Sequence, residues 1–298
     1  NFGKVGNTFV KMTGGPRKLL DAYKNFILDC DGVLWHSASA IAGSVEAVAR
    51  MKKEGKRVVF VTNNSTKSRQ AYLDKFNSLG FHGVELSDIN TAGSAAAELC
   101  KKANVSKVFC IGETGLVEEF KALGIEVIRD NGGVSMDDEE FEKTKLEENT
   151  QAVVVGWDRS FSFHKLAMAS LYVQAGARLI ATGMDPSDVV GGRAMPGNGC
   201  VVSAIQFSLD DPNGEKTTVA GKPNPELMAN LLEKYGFDGA ETIMVGDRLD
   251  TDIKFAEGKA SSLLVLSGCT PLDEHESRTD IKPTYVADDL ASALDKEI

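Results

Sequence analysis

The chain has 298 residues, of which 42% are hydrophobic and 26% charged, which is ordinary for a globular protein and enough for one large or two medium domains. A formal net charge of −10 argues against a general nucleic-acid or anionic-membrane surface, and no apolar run approaches the roughly 20 residues that span a bilayer. Five cysteines (Cys30, Cys100, Cys110, Cys200, Cys269), odd in number and with no Cys-x-x-Cys pair, read as reduced thiols of an intracellular, cytoplasmic protein without a zinc site.

Residues 1–20 carry four basic side chains (Lys4, Lys11, Arg17, Lys18) and no acid. A short flexible arm and the remnant of an organelle targeting segment both fit that pattern. The first strand signal is Phe26-Ile27-Leu28, which runs directly into Asp29-Cys30-Asp31-Gly32-Val33-Leu34-Trp35. A helix is expected over 44–53, closed by Gly55, and a strand over 58–61. Further helices are expected over 69–79, with Tyr72, Phe76 and Leu79 at helical spacing, and over 87–102. A second set of alternating signals follows: strands at 108–111, 127–128, 153–155 and 179–181, with helices at 115–123 and 163–175. The acidic stretch 136–150 reads as a solvated helix or loop. Pro196-Gly197-Asn198-Gly199 and Asp210-Asp211-Pro212-Asn213-Gly214 punctuate a return, at about Thr217, to the first set. This pattern predicts an α/β protein with a doubly wound, parallel, Rossmann-like core of residues 1–104 and 209–298, and an α/β cap of residues 105–208 inserted in it.

Four of the strand ends carry chemistry. Asp29 and Asp31 lie two apart, and past a strand end the chain turns, so both can reach one site; Gly32 permits that turn. Paired carboxylates in a low-dielectric site repel one another, and a hard cation such as Mg²⁺ relieves the repulsion. The 58–61 strand ends in Thr62-Asn63-Asn64-Ser65-Thr66-Lys67, rich in donors. Lys222 follows Thr217-Thr218-Val219-Ala220-Gly221, and Thr242-Ile243-Met244-Val245-Gly246 leads into Asp247, with Asp250 and Asp252 beyond. Acids, a hydroxyl with amides, an ammonium and acids again suit a metal-bound phosphoryl group.

Asp-Cys-Asp-Gly-Val-Leu-Trp at 29–35, Val-Thr-Asn-Asn-Ser-Thr-Lys-Ser-Arg at 61–69, Gly-Lys-Pro at 221–223 and Gly-Asp-Arg-Leu-Asp-Thr-Asp-Ile at 246–253 resemble the motifs of the haloacid dehalogenase superfamily. The resemblance is to its capped phosphatases of the phosphoglycolate, pyridoxal phosphate and para-nitrophenyl phosphate type. It implies an Mg²⁺-dependent hydrolase of a small phosphate ester, most simply 2-phosphoglycolate, with pyridoxal phosphate, glycerol phosphate or a phosphomutase reaction as alternatives. Asp29 is then the nucleophile and Asp31 the acid and base. Thr62 and the Asn63 amide hold phosphoryl oxygens and Lys222 neutralises them. Asp29, the main-chain carbonyl of Asp31 and Asp247 hold the metal, and Asp252 serves as a ligand through water or orients Lys222. A helix-N-terminal acid is the plain alternative for Asp252. The resemblance also implies a homodimer contact through the cap.

Within the expected cap, Asp185 follows the strand at 179–182, where relatives carry Thr-Asn-x-Asp; here Gly183 stands in the Asn position. Residues 191–199 read as a loop over the site. Arg193 in that loop offers a guanidinium fork for a substrate carboxylate, against a plain surface reading. Gly156-Trp157-Asp158-Arg159 matches a cap turn of the family. Receiver domains of two-component systems also combine acids, Thr, Lys and Mg²⁺, but they are smaller and place the acid pair before the phosphorylated Asp. No Ser-His-Asp order or Gly-x-Ser-x-Gly supports a serine hydrolase.

Overall fold

The computed structural model describes residues 18–130, 137–190 and 193–295. Most of the basic N-terminal stretch, Met136 and the Gly191-Gly192 pair lie outside the described residues. Short aliphatic runs become strands: β1 Asn25–Leu28, β2 Arg57–Thr62, β3 Lys107–Ile111, β4 Glu126–Arg129, β5 Ala152–Val155, β6 Arg178–Ala181, β7 Thr217–Val219, β8 Thr242–Gly246, β9 Ser261–Val265 and β10 Tyr285–Ala287. β1, β5 and β8 are buried from end to end, as strands of a parallel sheet covered on both faces must be.

The described residues fall into two compact units. The first draws on described residues 18–61, 76–84 and 228–295. Its strands lie parallel in the order β10-β9-β8-β1-β2. The chain leaves β1 for β2 on one side and returns through β8 on the other. The space beyond the carboxyl ends of β1 and β8 is therefore a topological switch point, where open α/β sheets bind ligands. Below it an aromatic group fills the core: Trp35 packs edge to face on Phe76 at 4.9 Å and on Phe81 at 5.9 Å between ring centroids.

The second unit comprises Thr62–Lys75 and Glu85–Leu227. Its sheet has five parallel strands in the order β7-β6-β5-β3-β4. Successive residues face opposite ways and build two apolar layers. Val108, Cys110, Val154 and Ile180 pack against helices Ala92–Lys102 and Thr114–Ala122. Phe109, Ile111, Val153, Val155 and Leu179 pack against helices Phe163–Gln174 and Asn198–Ser208. This unit is thus itself doubly wound. It contains the described residues of the expected cap, 105–208, together with segments on either side of it.

Local differences from the sequence reading have simple causes. The sequence reads 87–102 as one helix; instead a buried strand, Ile89–Thr91, precedes the helix at Ala92–Lys102. Thr91 takes the extended conformation of an N-cap, its hydroxyl accepting from Ser94 N at 3.0 Å, so the helix cannot begin earlier. β7, which the sequence reads as the first strand of the returning core, pairs with β6 through Thr217–Leu179, Thr218–Ile180 and Val219–Ala181. Within the expected loop at 191–199, Arg193–Pro196 is a strand paired antiparallel with Ser187–Val190, and a helix begins at Asn198. The acidic stretch carries a helix, Asp138–Lys143, with no buried residue. Cys30 is fully buried, and His36 is exposed.

Candidate active site

β1 and β8 end side by side, and Asp29 N donates to Val245 O at 2.9 Å, so the ladder runs one residue past β1. Asp29 and Asp247 therefore leave the sheet as neighbours. A wide, π-type turn of helix over Leu249–Ile253 brings Asp252 back beneath them. Its Oδ2 accepts from the main-chain N–H groups of Asp247 at 3.2 Å and Arg248 at 3.1 Å. The three carboxylates are buried, and one oxygen from each lies within 4.8 Å of the others. Gly32 turns away at φ +82°, and a Cβ there would sit 2.4 Å from Asp247 Oδ2. Any larger residue would push into the carboxylate.

Burial, and then the charge of Asp252, push the Asp247 carboxyl up to about 6, against the hydrogen bond from Cys269 N to its Oδ2 at 2.7 Å. Three buried acids at such distances call for a cation. The donor set is oxygen only, with no soft or imidazole ligand in the cluster, which fits Mg²⁺ and not a structural zinc. Asp31 is half-buried, and its Oδ1 accepts the indole N–H of Trp35 at 2.8 Å. The sequence reading assigns Trp35 no part; a buried indole must place its N–H, and that need was the available signal.

The donor residues belong to the second unit, Thr62 closing β2. Thr62 is buried, and its Oγ1 accepts from Asn64 N at 3.1 Å, which curls the chain after the strand. Lys222 is 2% exposed. Asn63 Nδ2 donates to Asp185 Oδ2 and to Lys222 O, both at 3.0 Å, and Asn63 Oδ1 accepts from Lys222 N at 2.8 Å. The structure thus brings Asn63, Lys222 and Asp185 together. Arg193 stands exposed at the start of the second hairpin strand.

Two polar groups went unnoticed in the sequence. Asn198, read only as part of the punctuating Pro-Gly-Asn-Gly segment and of the loop over the site, with no role of its own, is buried and donates through Nδ2 to Gly183 O at 2.7 Å and Thr182 Oγ1 at 3.3 Å. Ser65 Oγ accepts from Trp157 N and from Thr182 Oγ1, each at 3.2 Å. The half-buried Trp157 ring carries the Arg159 guanidinium 4.5 Å above its centroid.

Residues 26–126 match the model of the haloacid dehalogenase-like hydrolases, and residues 219–293 match a second, HAD-hydrolase-like model. The chain is 35% identical over 287 residues to phosphoglycolate phosphatase 1A, chloroplastic, of Arabidopsis thaliana, covering 93% of this chain and 78% of the relative. It is 32% identical to the 4-nitrophenylphosphatase of Schizosaccharomyces pombe, covering 92% and 94%. The solved structure of a glycerol phosphate phosphatase from Mycobacterium tuberculosis in complex with magnesium superposes with a TM-score of 0.78 at 29% identity, covering 94% of this chain and 79% of that one. The buried acid cluster, the motif-bearing strand ends and these matches agree: the chain belongs to the haloacid dehalogenase-like hydrolases and is a phosphatase of that family.

Proposed function

We propose that the chain hydrolyses a small phosphomonoester by way of an aspartyl-phosphate, with 2-phosphoglycolate as its preferred substrate. The observation that carries the chemistry is the buried cluster of Asp29, Asp247 and Asp252 at the switch point. Asp29, Asp247 and the main-chain carbonyl of Asp31 would hold Mg²⁺, with Asp252 behind them. When bound, the ion offsets the negative charge of both carboxylates and ester and lowers the barrier to their approach.

A carboxylate oxygen of Asp29 attacks phosphorus as the bond to the ester oxygen breaks, and Asp31 delivers its proton to the leaving alcohol. Asp31, now ionised, takes a proton from water as that water attacks the same phosphorus. Phosphate leaves and Asp29 is restored. Thr62, the main-chain amide of Asn63 and Lys222 serve the phosphoryl oxygens. Asp185 and Arg193 belong to substrate selection on this reading, with Arg193 facing the glycolate carboxylate. The relative named phosphoglycolate phosphatase supports that choice. Glycerol phosphate is a second reading, supported by the solved glycerol phosphate phosphatase that matches across 94% of this chain. A homodimer through the inserted cap belongs to the same proposal and is checked by sedimentation.

The test is phosphate release from a panel of esters with Mg²⁺, beside the Asp29→Asn variant. 2-Phosphoglycolate is expected to lead in kcat/KM, and Asp29→Asn to leave less than a tenth of turnover, more than about 1.4 kcal/mol of barrier. A lead by glycerol phosphate or pyridoxal phosphate overturns the substrate choice. Turnover that survives in the variant overturns the nucleophile.

A further inference from the structure

A carboxamide can serve a phosphoryl oxygen only through its two donors, both on its nitrogen. In Asn63 both face protein acceptors: Asp185 Oδ2 and Lys222 O, each 3.0 Å away. The remaining atom, Oδ1, takes the Lys222 N–H at 2.8 Å. Turning the amide over would set its oxygen against a carboxylate and a carbonyl and its nitrogen against an N–H, so the network fixes the orientation. We infer that the Asn63 side chain is a positioning residue: its carboxamide locks the Lys222 main chain to the Asp185 carboxylate, and it does not itself bind the phosphoryl group.

The turn that carries Asp185 is held independently, which makes it an anchor. Asn198 Nδ2 donates to Gly183 O at 2.7 Å, and Gly199 N donates to Asp185 O at 2.9 Å. Gly183 leaves the lock its room. A Cβ at that position would lie 3.0 Å from Asp185 Oδ2 and 3.4 Å from Asn63 Nδ2. The glycine that departs from the family pattern is thus packed against this contact. Asn63 passes the fixed position of the turn to Lys222 through two main-chain bonds. A shift of about 1 Å in a charge-neutralising group can cost on the order of a hundredfold in rate.

This inference rests on the proposed role of Lys222 at the phosphoryl group. The experiment compares the intact protein with Asn63→Asp, Asp185→Asn and the double variant, using para-nitrophenyl phosphate with Mg²⁺ and inorganic phosphate as competitive inhibitor. Asn63→Asp sets two carboxylates against each other and is expected to lower kcat/KM about a hundredfold. In the double variant, the amide introduced at position 185 donates to the carboxylate introduced at position 63, so that bond is restored in reverse, while the bond to Lys222 O stays unmade and recovery is partial. The positioning role predicts that kcat/KM and the phosphate inhibition constant both recover at least tenfold over Asn63→Asp. If residue 63 touches the phosphoryl group, its new charge repels the ester whatever stands at 185. A double variant no better than the single overturns the inference. Should Asn63→Asp fail to fold, by its melting curve, the Asn63→Ala and Asp185→Ala cycle decides. A double loss within about threefold of the larger single loss supports the lock, and multiplied losses overturn it. Failure of the underlying reading shows separately: Lys222→Met would keep near-normal turnover.

Discussion

The indole of Trp35 donates to Asp31 Oδ1 at 2.8 Å, so the proposed proton carrier is aimed by a side chain with no exposed surface. The two lie four positions apart, and Gly32 N bonded to Trp35 O at 2.9 Å closes the turn between them. Asp31 must sit within hydrogen-bond reach of the departing oxygen, and a freely rotating carboxyl would spend little time there.

Trp35→Phe therefore separates aiming from packing. Phenylalanine keeps an aromatic ring against Phe76 and Phe81 but has no N–H to donate. The expected loss is about tenfold in kcat for an alkyl phosphate, whose alkoxide must be protonated as it leaves. Para-nitrophenyl phosphate has a good leaving group and is expected to lose less in its first step. Stability falls by about 1–2 kcal/mol from the smaller ring, read from a melting curve. Equal losses in the phosphorylation step of both esters would mean that the ring, not its N–H, is what matters.

Asp247 predicts a pH-dependent link between stability and metal. Its folded carboxyl is raised to about 6 from an ordinary 3.8, by burial first and by Asp252 second. Between those values the metal-free fold holds a proton that the unfolded chain has released. The contribution of Asp247 to stability is thus present below pH 4 and is lost as pH rises towards 6, on the order of 2–3 kcal/mol in all. Mg²⁺ requires the ionised form and works in the opposite sense. Added Mg²⁺ is expected to raise the melting temperature more at pH 7.5 than at pH 5, and Asp247→Asn to remove most of that difference. A metal-induced shift that is the same at both pH values and survives in the variant contradicts the assignment.

The parallel strands around 26–28, 58–61, 108–111, 153–155, 179–181 and 242–245 were legible because each holds a short aliphatic run that stops at a polar residue or a glycine, whereas 261–265 and 285–287, which open on Ser-Ser and Tyr, were not read. Phe26-Ile27-Leu28 before Asp29 is the plainest case, and the chemistry begins where burial ends. The short strand Ile89–Thr91 was not legible, since Ile-Asn-Thr has no period of its own and only the capping bonds of Thr91 set the boundary. β7 was placed with the wrong neighbours because three residues carry no mark of which sheet will pair with them. In the site, the acids were visible as residue types in register. The supports, Trp35 on Asp31 and Asn198 on the Gly183 turn that carries Asp185, act through side-chain bonds that no local pattern records.

Lys165 and Asp158 form a buried pair, Nζ to Oδ2 at 2.6 Å, and Ser160 completes the shell of both groups. Burial alone would raise the Asp158 carboxyl, but hydrogen bonds from Lys165 and Ser160 outweigh it and hold the group below its ordinary value. A depressed carboxyl stabilises the fold above its unfolded value, and that part of the stability is lost as pH falls through the folded one. Lys165→Met strands the carboxylate and is expected to cost about 3–5 kcal/mol at pH 7, read from denaturant melts. Adding Asp158→Leu should return much of that loss, since a matched apolar pair leaves no buried charge. A double variant no more stable than Lys165→Met would show that the pair is needed for the turn itself.

Arg193 offers the sharpest test of substrate. It lies exposed on the hairpin, paired through its main chain with Val190, so replacing its side chain removes no core packing. A guanidinium facing a substrate carboxylate in a chain of net charge −10 supplies local attraction where the background repels. One charge-assisted contact at an exposed position is worth on the order of 1.4 kcal/mol, a factor of about ten. Arg193→Ala is thus expected to raise KM for 2-phosphoglycolate about tenfold while leaving para-nitrophenyl phosphate, which has no carboxylate, almost unchanged. Added salt should raise the KM of the intact enzyme for 2-phosphoglycolate more than that of the variant, because the lost contact is the part that salt screens. Equal effects on both esters would assign Arg193 to folding or general attraction. No effect on either would move the carboxylate partner elsewhere and strengthen the case for glycerol phosphate, which needs none.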